Sequence, residues 1–140
     1  MNKILVTGGC GYIGGHTIVD LIQNGFDVIS VDDLSRGSLK MLDGIEQITE
    51  KKVKNYKVDL CDLDDTEAIF LENPDLVGVI HFAAYKSVPE SVNEPLKYFH
   101  NNFFQKSVFK NVFQLQVQIY EKYLTWQNLF FRIYCTWNIF

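Results

Sequence analysis

The ten residues Thr7-Gly8-Gly9-Cys10-Gly11-Tyr12-Ile13-Gly14-Gly15-His16 constrain this chain more than any others. An apolar run, Lys3-Ile4-Leu5-Val6, leads into them, and Thr17-Ile18-Val19-Asp20-Leu21-Ile22-Gln23-Asn24, apolar at helical spacing, follows. The pattern is strand, glycine turn, helix. Gly8 permits a tight turn out of the strand, Gly11 lets backbone N–H groups approach a ligand with no Cβ between them, and Gly14 lets the new helix pack close to the strand. An anion is then favoured at the helix N-terminus, where free N–H groups and the positive end of the dipole meet it.

Glycine spacing alone is also what a plain turn with positive φ angles needs, so the following segment decides. Asp27-Val28-Ile29-Ser30-Val31-Asp32 reads as a second strand ending in an acid at about the distance, some 20 residues on, that a dinucleotide-binding unit requires. Asp32 would accept hydrogen bonds from the adenosine ribose hydroxyls. Asp33 lies beside it, and the two acids repel a 2′-phosphate, which favours NAD over NADP. Arg36 argues the other way, because a guanidinium pairs well with that phosphate.

A chain of 140 residues with 47% hydrophobic residues supports one domain with a real core. Its net charge of −4 gives no reason to expect nucleic acid. Cys10, Cys61 and Cys135 are too few and too scattered for a disulfide framework or a metal site. Cys10 sits inside the glycine loop, where a lowered pKa would make it reactive, but a small side chain filling a tight spot is the simpler expectation. Met1-Asn2-Lys3 runs straight into the first strand and no apolar run approaches membrane-spanning length, so a cytoplasmic protein without membrane association is expected.

Further along, 35–51 reads as a loop and a short helix, and 53–60 as a third strand whose alternation suits a sheet edge. Asp62-Leu63-Asp64-Asp65 opens a helix, its acids serving as caps in the first turn. Leu76-Val77-Gly78-Val79-Ile80-His81-Phe82 is a fourth strand, apolar on both faces. Strands alternating with helices predict an α/β fold: a Rossmann-type, doubly wound parallel sheet of order 3-2-1-4, incomplete because the later strands are absent or aberrant. Ligands of such sheets bind where strands 1 and 4 part. Phe82-Ala83-Ala84 would back a flat cofactor there, and Lys86 is a cation for its phosphates, or else a solvated loop lysine. His81 reads as a hydrogen-bonded core histidine. Pro89 to Phe99 suggests a kinked helical segment leading to Asn101-Asn102.

With these pieces assembled, the chain resembles the extended short-chain dehydrogenase/reductase family and, within it, the UDP-glucose 4-epimerases. The matching residues are Leu5 to Gly14 with His16-Thr17, then Asp32-Asp33-Leu34 and Asp59-Leu60. The most discriminating match runs from His81-Phe82-Ala83-Ala84-Tyr85-Lys86-Ser87-Val88-Pro89-Glu90-Ser91-Val92 through Pro95-Leu96-Lys97-Tyr98-Phe99-His100-Asn101-Asn102. The resemblance covers residues 1–102. It implies NAD, with the pyrophosphate at Gly8, Gly11, Tyr12, Ile13 and Lys86, Gly14 as a further cofactor-binding residue, and the ribose at Asp32 and Asp33. Adenine would lie near Asp59 and Leu60, Phe82, Ala83 and Ala84 would back the cofactor, and Asn101 would lie near its nicotinamide half. Such enzymes oxidise the sugar C4 hydroxyl of a UDP-sugar by hydride transfer to NAD, turn the 4-keto sugar over, and return the hydride to its other face. A homodimer is compatible with the family but nothing in this sequence requires one.

The family's catalytic tyrosine is followed four residues later by a lysine that lowers its pKa. None of the seven tyrosines here has lysine at that spacing, so no catalytic residue is assigned, and no metal ligand either. Residues 103–140 also differ in kind from those before them. They hold 12 of the 20 aromatic residues and no Gly, Pro, Ala or Asp, with four basic side chains and one acidic; residues 1–102 hold nine basic and sixteen acidic. Val112 to Tyr120 alternates apolar residues with glutamine, the pattern of a strand wet on one face rather than of a buried sheet centre. The break suggests out-of-frame translation; the rival is a genuine aromatic tail that packs on a partner or membrane surface. The function expected is the NAD-binding portion of an epimerase-like protein, without the catalytic pair or the substrate domain. A non-catalytic NAD-binding or interaction module and a degraded gene product are the alternatives.

Overall fold

The computed structural model describes residues 2–104, which divide into two units, one of residues 2–57 with Asp75–Phe82 and the other of Val58–Pro74 with 83–104. The tail, including the alternating stretch 112–120, lies outside the described residues.

The first unit is built on four short strands, β1 (Lys3–Thr7), β2 (Asp27–Val31), β3 (Lys54–Tyr56) and β4 (Leu76–His81). All pair in parallel in the order β3-β2-β1-β4. β1 is central, and its Leu5 and Val6 are wholly buried, as a strand covered on both faces requires. Helices α1 (Tyr12–Gln23) and α2 (Lys40–Thr49) belong to the same unit. Ile18 and Ile22 of α1 and Ile45 of α2 close over Ile4, Val6, Val28 and Val53 to form the core. α1 stops at a glycine-based cap: Gly25 takes φ 86°, its N–H reaches the Ile22 carbonyl, and the Phe26 N–H reaches that of Leu21.

β3 is an edge strand, as its alternation predicts, but spans 54–56 rather than 53–60. The strand ends early because Asp59 offers the backbone a local partner: its carboxylate accepts the Cys61 N–H at 2.9 Å, and its carbonyl accepts the Asp62 N–H. β4 carries an extra residue opposite the step from Lys3 to Ile4, and only Leu76 of it is buried, since it forms the other edge among the described residues.

The second unit holds α3 (Leu63–Glu72), α4 (Val88–Asn93), α5 (Pro95–Phe99) and a π-helical turn at His100–Phe104. Asp62 caps α3 by accepting the Asp65 N–H at 3.1 Å, with Asp64 and Asp65 in the first turn, which is the capping role expected of these acids. The expected kink falls at Glu94 (φ −128°, ψ 58°), because the proline ring of Pro95 excludes the helical conformation from the residue before it.

Candidate functional site

The glycine loop lies between β1 and α1, in the first unit. Gly8 takes φ 68°, a conformation that excludes most side chains, and donates its N–H to the Val31 carbonyl of β2 at 2.8 Å. The Gly11 N–H bonds back to the Gly8 carbonyl at 3.0 Å and closes the turn. Helix α1 begins directly at Tyr12, so Gly14 and Gly15 lie within its first turns rather than ahead of it. A Cβ on Gly14 would strike Gly8 O and lie 2.8 Å from Gly8 C and 2.9 Å from Gly9 Cα. The close approach thus joins the helix to its own preceding turn rather than to the strand. Gly9 is equally confined, since a Cβ there would strike the Ser30 side chain and lie 2.8 Å from Ile18 Cδ1.

What this leaves at the start of α1 is chemically open. The N-cap residue is Gly11, no side chain caps the helix, and its first turn contains no acid. The N–H groups of the first turn have no carbonyl four residues behind them to bond within the helix. α3 differs: its own carboxylates fill that role. Tyr12 and Ile13 stand 75% and 53% exposed on the first turn. The backbone therefore presents donors to an external anion, with no carboxylate of the first turn to repel it. The turn has no room for a Cβ at Gly9 or Gly14, and one at Gly11 would lie 3.2 Å from Gly8 O, so bare backbone lines the start of α1, the setting that suits an anion such as a pyrophosphate.

Asp32 follows β2 and is 9% exposed. Its carboxylate accepts the Cys10 N–H at 3.0 Å and the Leu34 N–H at 2.9 Å, which ties the glycine loop to the end of β2. A carboxylate offers about four acceptor sites, and these two bonds use two of them. Asp33 accepts both the N–H and the hydroxyl of Ser35. These bonds hold Leu34 at φ 65°, and the turn carries Gly37 onto Asp32, where a Cβ would lie 2.8 Å from Oδ1. Gly37 escaped sequence reading. Its only trace there is a glycine shortly after the acidic pair, which any loop also shows.

Cys10 is buried, and burial, aided by the charge of Asp32, pushes its thiol up to about 11, opposed in part by the Ser30 hydroxyl. It is the small, inert filler and not an activated nucleophile. At pH 8 roughly one such thiol in a thousand is thiolate. An alkylating reagent at that pH is expected to label the partly exposed Cys61 well ahead of Cys10, as read by peptide mass mapping; faster labelling of Cys10 would contradict the burial argument.

At the far ends of β1 and β4, Thr7 stands opposite His81. Thr7 Oγ1 lies 2.7 Å from His81 Nδ1 and accepts the Phe82 N–H at 3.1 Å. His81 is thus hydrogen-bonded, as expected, though only half-buried. Phe82 packs against the core of this unit. Of the residues singled out from sequence, Gly8, Gly11, Tyr12, Ile13, Gly14, Asp32, Asp33 and Phe82 fall in the first unit. Asp59, Leu60, Ala83, Ala84, Lys86 and Asn101 belong to the second. Leu60 is buried there, and Lys86 is exposed. No group of acids, cysteines and histidines fit to hold a metal occurs among the described residues. Nor is any described helix long and apolar enough to cross a membrane.

Comparison with known proteins returns this region and extends past residue 102. A family model described as GDP-mannose 4,6 dehydratase matches residues 5–108. The UDP-glucose 4-epimerase of Bacillus subtilis (strain 168) is 48% identical over 99 residues, which are 71% of this chain and 29% of that protein. That of Neisseria meningitidis serogroup C is 40% identical over 130 residues, covering 86% of this chain and 38% of the relative. Among solved structures, UDP-glucose 4-epimerase from Bifidobacterium longum in complex with NAD+ and UDP matches with a TM-score of 0.80 and 42% identity, over 83% of this chain and 34% of that one. The chain spans about a third of the length of these relatives.

Proposed function

This chain belongs to the NAD-dependent epimerase/dehydratase family, on the branch of the UDP-glucose 4-epimerases, and from that premise we propose that it is the NAD-holding portion of such an enzyme. The observation that carries the reading is the uncapped, acid-free start of α1, held against a turn that has no room for a Cβ at Gly9 or Gly14 and is braced by Asp32. On this reading the backbone of Gly8, Gly11, Tyr12, Ile13 and Gly14 grips the pyrophosphate, and Asp32 and Asp33 take the adenosine ribose. Phe82 forms an apolar wall. The family resemblance adds Asp59 and Leu60 toward adenine, Ala83 and Ala84 along the cofactor, Lys86 on a phosphate and Asn101 toward the nicotinamide. NAD, when bound, supplies the hydride acceptor and donor for the sugar C4 position. The UDP-sugar is the substrate of the complete family fold, and this sequence contains no Tyr-x-x-x-Lys pair to move its proton. The second reading is a module that binds NAD without turning a sugar over. The tail is, in the same reading, a product of a frame shifted near codon 103, although the family model still matches to residue 108; sequencing the gene decides it: a downstream alternative frame without a Tyr-x-x-x-Lys motif rejects it.

Titration calorimetry with NAD is the direct test. Saturable binding is expected, with NADP at least tenfold weaker because two acids meet its extra phosphate. At a hundredfold excess over Kd, NAD should stabilise the folded chain by about 2.7 kcal/mol, seen as a raised Tm. No heat and no shift would reject the cofactor assignment. Turnover of UDP-galactose by the chain alone would reject the non-catalytic reading.

A further inference from the structure

We propose that Tyr98, Glu90 and Asn102 are positioning residues that clamp the backbone on both sides of Lys86, so that its side chain starts from a held backbone when its ammonium meets a phosphate oxygen. This rests on the NAD reading above, which assigns Lys86 that ligand. All the groups lie within 83–104 of the second unit.

On one side, a single carboxamide satisfies both polar groups of Tyr85. The Tyr85 N–H donates to Asn102 Oδ1 at 2.8 Å, and Asn102 Nδ2 donates to the Tyr85 carbonyl at 3.0 Å, the pairing a neighbouring strand would supply. Asn101 Nδ2 donates to the same Oδ1 at 3.0 Å, which holds the amide in that orientation. On the other side, the Ser87 N–H donates to Tyr98 Oη at 3.0 Å. Because Oη accepts there, its one proton is free to go to Glu90 Oε2, 2.8 Å away. Tyr98 is buried, with its ring 5.5 Å from that of Tyr85. The residues before and after Lys86 are thus each tied by a side chain to a part of the chain at least eleven residues away.

Charge is arranged to the same end. Residues 83–104 contain two lysines and two acids. Lys97 pairs with both acids, at 2.9 Å from Glu90 and 3.2 Å from Glu94. Lys86 is exposed and has no ion pair among the described residues. The two carboxylates closest to Lys86 in sequence, Glu90 and Glu94, are thus engaged by Lys97. Holding the backbone in advance means that less freedom is lost when the anion arrives, which is how preorganisation raises affinity.

The test is NAD calorimetry on the full chain at two salt concentrations, for wild type, Lys86→Ala, Tyr98→Phe, Asn102→Ala and the double variant Lys86→Ala/Tyr98→Phe. Lys86→Ala is expected to weaken binding at least tenfold and to flatten its salt dependence, the mark of one lost charge contact. Tyr98→Phe, which keeps the ring but deletes Oη, and Asn102→Ala should each weaken binding several-fold, and the double variant should bind no worse than Lys86→Ala. A merely structural role for Tyr98 would add its loss to that of Lys86 instead. Wild type that binds no NAD overturns the cofactor reading and this proposal together. Binding that survives Lys86→Ala unchanged overturns the role of Lys86 while leaving NAD in place. Loss in Lys86→Ala with none in Tyr98→Phe and Asn102→Ala, or losses that multiply in the double variant, overturns the clamp alone. Should the melting curve show Tyr98→Phe to be unfolded, Asn102→Ala and its double with Lys86→Ala decide.

Discussion

Gly14→Ala should lower the stability of the folded chain by about 2 to 3 kcal/mol, the upper part of the range for an overpacked core position. The added Cβ meets Gly8 O, Gly8 C and Gly9 Cα, all of them backbone atoms of the turn, so no flexible side chain can swing aside. Relief requires the helix to withdraw from the loop or the loop to open, and either change also spoils the anion cradle. Gly44→Ala on α2 is the matched control, since a Cβ there meets nothing within 4 Å. It should stabilise by up to about 1 kcal/mol, because alanine loses less backbone freedom than glycine in a helix. Urea denaturation of both variants checks the pair. A Gly14→Ala protein within about 0.5 kcal/mol of wild type would show that the turn moves freely and that the contact is not what fixes it.

Asp32→Ala should act twice. The variant leaves the N–H groups of Cys10 and Leu34 without their carboxylate, the first of them buried, and hydrogen bonds to a charged group are each worth about 1.5 to 3 kcal/mol. A stability loss of about 3 kcal/mol is expected from denaturation. On the proposed NAD reading, affinity should fall by at least a hundredfold, about 2.7 kcal/mol, because the ribose would lose its acceptor while the glycine loop loses its brace. Asp32→Asn separates the two roles. It keeps the shape and one acceptor, so the loop is partly held while the charge is gone. Stability near wild type with NAD binding lost marks the carboxylate as a ligand group; stability lost with NAD affinity kept would reduce Asp32 to a brace and remove it from the proposed site.

The strand, turn and helix at the start of the chain were legible because each rests on rules that act within a few residues. Glycines at 8, 11 and 14, a periodic apolar face and an acid at 32 each record what their own backbone must do. The sheet order followed from the alternation of strands and helices together with the handedness of crossovers. The third strand was read too long, because Val58 and Leu60 continue an alternation that the side chain of Asp59 interrupts. Close packing at Gly14 was foreseen, but with the wrong neighbour.

Order along the chain, the parallel sheet and the acid after its second strand were thus set by sequence, since they depend on spacing alone. Only the folded chain decided that Asp32 grips the Cys10 amide 22 residues before it, that Gly37 lies on that carboxylate, and that Asn102 and Tyr98 hold the two sides of Lys86. Those bonds join groups that a linear pattern does not bring together. A hydrogen-bonding side chain records in its identity that it needs a partner, and which partner it meets is settled only when the backbone has closed around it.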